Sequence, residues 1–87
     1  MNTRIAAMKA RLAVLEPVSL DIIDESHRHA GHAGARGGGH YVINIVSDRF
    51  SGKNTVARHR MVYSALGEMM KREIHALTLQ AHAPTEK

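Results

Sequence analysis

The chain has no cysteine among its 87 residues. Disulfides, thiolate nucleophiles and cysteine-rich metal sites built by this chain alone are therefore excluded, so any metal must bind histidine, carboxylate or a partner's ligands. Aromatic residues make up only 3% of the chain, which leaves little for base stacking on single-stranded nucleic acid. Apolar runs such as Leu12 to Leu15 are far shorter than a membrane span, and we expect no membrane association.

The remaining composition is typical of a small folded protein. Hydrophobic residues make up 44% and charged residues 23% of the chain, and a chain of this length forms one core, so we predict a single domain over residues 1–87. The formal net charge of +4 permits an acidic partner or nucleic acid without requiring either. The opening MNTRIAAMKARLAVLEP lacks the apolar core of a signal peptide, which favours a cytoplasmic location.

Two helices are predicted from apolar residues that recur every three or four positions. The first covers residues 3–15 and ends before Pro17. The second is capped by Asn54 or Thr55 and runs to about Arg72. Its predicted buried stripe is Val62, Tyr63, Leu66, Met69 and Met70.

Three strands are predicted where apolar and polar residues alternate. They cover residues 18–23, 41–46 and 76–81, and the first two are expected to pair antiparallel. The element order αββαβ predicts a two-layer α+β domain in which both helices cover one face of a three-stranded sheet. Residues 82–87 are expected to be a frayed tail.

A glycine- and histidine-rich stretch, DESHRHAGHAGARGGGHY, occupies residues 24–41 between the first two strands. Its histidines at 27, 29 and 32 lie close enough in sequence to converge on a metal, since imidazole suits zinc, iron, nickel and copper. The five glycines instead favour a flexible connection over residues 27–39, because ordering such a chain costs conformational entropy. GARGGG is not a phosphate-binding motif and no helix follows it directly.

His59 is the histidine whose helical position is most informative. It lies close to the direction of the predicted buried stripe, with Arg58 and Arg60 to its two sides. It is therefore either a core histidine bonded to the backbone or a ligand at the edge of the domain, where the arginines would bind carboxylate or phosphate. No serine lies in a recognisable nucleophile motif, and we predict that the chain is not an enzyme.

Four segments of the sequence resemble the BolA family: DESHRHAGH, IVSDRFSGKN, VARHRMVYSALGEMM and IHALTL. The resemblance spans nearly the whole chain. It implies a helix-strand-strand-helix-strand fold similar to the class II KH arrangement, in agreement with the order predicted from periodicity. It also implies a protein that pairs with a monothiol glutaredoxin around a shared [2Fe-2S] cluster in iron-sulfur or iron homeostasis and the stress response.

The resemblance further implies which residues bind the cluster. They are His59 of the RHR motif and a histidine of the first inter-strand loop, for which His32 is the first choice and His29 the second. The remaining ligands would be thiolates of the glutaredoxin and its glutathione, and no cluster is held by this chain alone. Arg58 and Arg60 would then dock the partner, whereas the resemblance gives His40 and His75 no ligand role. Alone, the chain is expected to be a monomer or a weak homodimer.

The alternative function is that of a DNA-binding transcriptional regulator of the BolA type. A KH-like fold and the positive charge favour it, with Arg49 and Lys53 joining the arginines beside His59 as the contact residues. KH domains that bind nucleic acid use a G-x-x-G loop, however, and SGKN supplies only Gly52.

Overall fold

The computed structural model describes residues 3–25 and 39–86. Its helices and strands are α1 (Thr3–Leu12), β1 (Ser19–Asp24), β2 (Gly39–Val46), α2 (Thr55–Leu66), α3 (Met69–Arg72) and β3 (Ile74–His82), and short 3-10 turns cover Ala13–Leu15, Asp48–Phe50 and Pro84–Glu86. The predicted α+β fold, with its αββαβ order, is confirmed. Within these residues no helix is long and apolar enough to cross a membrane.

The three strands form one mixed sheet in the order β1-β2-β3. β1 pairs antiparallel with β2, as predicted, and β2 pairs parallel with β3. The parallel pairing follows from the intervening helices, because two strands joined by a helical crossover run in the same direction. The starts of β2 and β3 therefore lie side by side, at Gly39 and Ile74.

The helices pack against one face of the sheet. β2 alternates strictly between buried and half-buried residues, which is the pattern of a strand with one face in a core. Its buried side chains join those of the helices in one apolar cluster. The fully buried members of this cluster are Met8, Leu12, Tyr41, Ile43, Ile45, Phe50, Val62 and Leu66.

Ser47 is the one polar residue buried completely among the described residues. Its hydroxyl donates to the carbonyl of Leu15 at 2.6 Å and accepts from the backbone N–H of Arg49 at 3.1 Å. This side chain thus joins the end of β2 to the turn that follows α1. Both hydrogen-bonding roles of the hydroxyl are used, which is what a buried polar group requires.

The second helix is shorter than predicted. α2 ends at Leu66 because Gly67 adopts a positive φ of 56°, a conformation that helical L-residues avoid, and the chain resumes helical geometry only in the single turn of α3. The predicted stripe is also wrong at Tyr63, which is 39% exposed. Leu66 and Met69 are buried as predicted.

The predicted frayed tail over residues 82–87 is wrong as far as the described residues extend. β3 continues through His82, Ala83 is buried, and Pro84–Glu86 form a 3-10 turn. Arg58 holds this turn through a bidentate pairing with Glu86. Such a contact joins residues 28 positions apart, so local sequence patterns carry no sign of it.

Candidate functional site

His59 lies in the second turn of α2. The helix begins at Thr55 because the side chain of Asn54 accepts the backbone N–H of Ala57 at 2.8 Å, the predicted cap. The His59 ring is half-buried and meets the ring of Tyr63 edge-on, with centroids 6.2 Å apart. Within residues 3–25 and 39–86 its nitrogens have no hydrogen-bond partner. The ring is therefore neither sealed in the core nor bonded to the backbone there.

Arg58, predicted to bind a partner, is committed to contacts within the chain. Its Nε donates to the Lys53 carbonyl at 2.8 Å and Nη1 to the Ala81 carbonyl at 3.1 Å. Nη1 and Nη2 also bind the two carboxylate oxygens of Glu86 at 2.6 and 2.5 Å. Hydrogen bonding from Arg58 is the main reason that the pKa of Glu86 falls to about 2. A partner would have to displace these contacts in order to use Arg58.

The other three basic residues predicted to bind a partner are Arg49, Lys53 and Arg60, and they differ in whether another residue of the chain already binds them. Arg49 binds Glu16 through Nε and Nη2 at 3.2 and 2.7 Å, on the surface. Lys53 and Arg60 are exposed and form no ion pair with any described residue. Arg60 also lines an open, mainly apolar groove of about 430 Å³ between α2 and the turn that follows α1.

The two predicted loop ligands, His32 and His29, lie outside the described residues. The chain on either side of them is nevertheless fixed. The backbone N–H of Glu25 donates to the His40 carbonyl at 2.8 Å, and that of Gly39 donates to the Glu73 carbonyl at 3.0 Å. Gly39, predicted to be part of the flexible loop, is instead the buried first residue of β2. Both ends of the histidine-rich segment are thus anchored at the start of β2, the Glu25 end on the side of β1 and the Gly39 end beside the start of β3.

His75 occupies a distinctive position at this end of the sheet. Gly39 pairs with Ile74 and His40 pairs with Ala76, so His75 is the extra residue of a β-bulge. Bulges redirect side chains at sheet edges and beside functional sites. His75 is exposed, and no hydrogen bond to its ring forms within the part of the chain that the structure describes.

His59 and His75 therefore differ in how close they lie to Gly39, where the histidine-rich segment enters β2. Arg58, the neighbour of His59, reaches Ala81, which pairs with Ile45 near the far end of β2. At about 3.3 Å per residue this point is roughly 20 Å along the sheet from Gly39. Parallel pairing of β2 and β3 brings His75 beside Gly39 and does not bring His59 there.

The sequence contained a signal for His75 that the prediction did not use. A helical crossover between two neighbouring strands makes them parallel, so their starts align. Since the histidine-rich segment leads into β2, the residues that open β3 must lie near the start of β2, and the first histidine there is His75. In the described ranges, no group of three or more histidine, aspartate or glutamate side chains is arranged to hold a metal.

Comparison with known proteins gives a consistent result. The family model described as BolA-like protein matches residues 12–86. SufE-like protein 1 of Arabidopsis thaliana is 44% identical over 83% of this chain, which spans only 21% of that protein. The DNA-binding transcriptional regulator BolA of Escherichia coli is 42% identical, with 85% of this chain and 69% of the relative covered. The solved BolA domain of SufE1 from Arabidopsis thaliana superposes with a TM-score of 0.86, 39% identity and coverage of 100% and 99%.

Proposed function

Because this chain belongs to the BolA-like protein family, we propose that it is a non-enzymatic adaptor that pairs with a monothiol glutaredoxin. The two proteins share a [2Fe-2S] cluster in iron-sulfur and iron homeostasis and in the stress response. The observation that carries the proposal is the position of His75. It is an exposed bulge residue next to Gly39, where the stretch that holds His27, His29 and His32 enters β2.

The donor atoms of the chain fit a shared cluster better than a cluster held alone. The chain has no thiolate, and its described residues provide single imidazoles instead of a group of three ligands. We assign one ligand to His75 and the second to His32, with His29 as the alternative. Thiolates of the glutaredoxin and of its bound glutathione supply the remaining ligands.

Imidazole ligation has two consequences for such a cluster. Replacing thiolates by histidines on one iron raises the reduction potential, as in Rieske centres. Binding through neutral imidazoles also weakens when falling pH protonates them. A cluster bound partly by histidines is therefore released more readily than one bound by four thiolates. Such release suits an adaptor that passes its cluster on.

The assignment of His59 as the cluster ligand stays a prediction, and the fold supports His75 in its place. Substituting each residue separately distinguishes the two, because one variant loses an imidazole from α2 and the other loses one from the start of β3. His82 supplies a matched control, since it is an exposed histidine of the same strand at the opposite end.

The experiment that tests the proposal is anaerobic co-purification of the intact chain with a monothiol glutaredoxin and glutathione. We expect a complex that contains one chain of each protein, with iron and acid-labile sulfide in equal amounts. Its absorption and circular dichroism should differ from those of the glutaredoxin alone. A glutaredoxin that retains its cluster and spectra unchanged, with no co-purifying chain, would contradict the proposal.

DNA binding is the second candidate, because one relative is named a DNA-binding transcriptional regulator and Lys53 and Arg60 are exposed and lack an acidic partner among the described residues. If these residues contact phosphates, the logarithm of the binding constant falls linearly with the logarithm of salt concentration. Lys53→Ala should then reduce the slope by about 1. Binding that is absent at moderate salt, or whose slope Lys53→Ala leaves unchanged, would remove this candidate.

A further inference from the structure

We propose that the free edge of β3 binds the same edge of a second copy of this chain, in an antiparallel pairing centred on Thr78. This self-association goes beyond the adaptor function and is independent of it. Three observations support it. Backbone groups of β3 point away from β2, Arg58 and Glu86 bind some of these groups, and the strand carries no charged side chain.

The direction of the backbone groups follows from the pairing with β2. The backbone N–H of Ser47 donates to the His82 carbonyl at 3.0 Å, and Val46 pairs with His82 in the parallel ladder. Backbone groups of alternate residues in a strand point to opposite sides. His82 and the even-numbered residues before it therefore bond to β2, whereas Leu77, Leu79 and Ala81 turn their N–H and C=O groups to the outer edge.

The Arg58–Glu86 pair closes one end of this outer edge. Arg58 donates to the Ala81 carbonyl, and the Glu86 carboxylate accepts the backbone N–H of Ala83, both at 3.1 Å. A residue of a parallel neighbouring strand would bond to these same two groups. The Arg58 and Glu86 side chains already bind these groups, so a further strand cannot pair there without displacing them.

The other end of the outer edge is interrupted by the bulge at His75. Between the bulge and the Arg58–Glu86 pair, the outward backbone groups of Leu77 and Leu79 have no backbone partner among the described residues. The available edge is thus a short stretch with Thr78 at its centre.

This stretch is complementary to itself in an antiparallel arrangement. Leu77 of one copy lies opposite Leu79 of the other and each pair exchanges two hydrogen bonds, so four form in all. Thr78 then faces Thr78 of the second copy as a non-hydrogen-bonded pair, and threonine pairs at such positions are favourable. Neither bonded pair requires the bulged residue or a backbone group that Arg58 or Glu86 occupies.

Charge also favours a second copy on β3 over one on β1. β3 has no aspartate, glutamate, lysine or arginine from Ile74 to His82, whereas the edge strand β1 carries Asp21 and Asp24. Charged side chains on an edge strand oppose edge-to-edge pairing.

The overlap between the two copies is short, and we expect it to bury less than the roughly 1,200 Å² of a stable specific interface. The dimer should therefore be weak and should form only at high protein concentration.

The natural absence of cysteine allows a direct test by cross-linking with single-cysteine variants under a mild oxidant. In the proposed dimer two copies of Thr78→Cys place their sulfurs across a non-hydrogen-bonded pair, within disulfide reach. Gln80→Cys lies on the same face of the sheet, but its two copies stand about 13 Å apart and cannot form a disulfide. We expect Thr78→Cys to cross-link at least about tenfold faster, because pairing raises the local concentration of its thiols.

Two further measurements test the same strand register without relying on Thr78→Cys. A mixture of Ala76→Cys and Gln80→Cys should form the mixed disulfide in preference to either homodimer, because these positions lie opposite each other. Arg58→Ala frees the Ala81 carbonyl, permits a register centred on Gln80, and should accelerate the cross-linking of Gln80→Cys. Equal rates for Thr78→Cys and Gln80→Cys, or sedimentation as a monomer at every concentration, would overturn the proposal.

Discussion

Ser47→Ala tests how the turn after α1 is joined to the sheet. The substitution removes a completely buried hydroxyl that donates to the Leu15 carbonyl at 2.6 Å and accepts from the Arg49 N–H. The carbonyl of Leu15 is then left without its donor, in a residue that is only 7% exposed. Leaving a buried acceptor unsatisfied lowers the free energy of unfolding by about 1–3 kcal/mol. For a domain of this size, each kcal/mol lowers Tm by about 4–8 °C.

The measurement is urea unfolding followed by far-ultraviolet circular dichroism, with thermal unfolding in parallel. We expect a lower midpoint and an unchanged m-value, because the surface exposed on unfolding stays the same. Ser51→Ala is the matched control, since Ser51 is exposed at the other end of the Asp48–Phe50 turn that Ser47 begins. Substitutions at exposed positions of this kind change stability by less than about 0.5 kcal/mol. If Ser47→Ala matched this control, the buried hydrogen bond would not stabilise the fold as argued.

Two further predictions concern the C-terminal turn and the end of α2. Because the pKa of Glu86 lies near 2 in the folded chain and near 4.5 ordinarily, its ionised form stabilises the fold above about pH 4.5, and this contribution is lost as pH falls towards 2. Glu86→Gln should therefore lower Tm at pH 7 but have little effect at pH 2; an equal loss at both values would refute the assignment. Gly67→Ala should lower the free energy of unfolding by about 1–3 kcal/mol, because φ is positive there and a Cβ would lie 3.1 Å from the Arg11 guanidinium. No change on denaturant unfolding would show that the turn tolerates a side chain.

Local patterns predicted the elements well where one periodicity dominated. The alternation of Tyr41, Ile43 and Ile45 identified β2, and the spacing of Met8 and Leu12 identified the buried side of α1. In both elements side-chain burial repeats with the period of the backbone, so the sequence alone shows which face lies in the core.

The errors arose where a contact over a long distance or a single backbone angle decided the outcome. The predicted second helix ran through Gly67, because the helical pattern continues on both sides of it. Only the positive φ of Gly67 shows that α2 ends there. Arg58 was predicted to contact a partner, and the sequence gives no sign that Glu86 and the edge of β3 already bind it. His59 was singled out by its helical position and stays a prediction, whereas the proposal of His75 depends on how β3 aligns with β2.

The most direct test of the proposed cluster-sharing site compares His75→Ala with His59→Ala and His82→Ala. Each variant is reconstituted anaerobically with a monothiol glutaredoxin, and visible circular dichroism reports how the cluster is ligated. We predict that His75→Ala removes the spectral change caused by the chain, while the other two variants retain it. An unaltered change with His75→Ala, together with its loss in His59→Ala, would contradict the site proposed at the start of β3 and restore the assignment to α2.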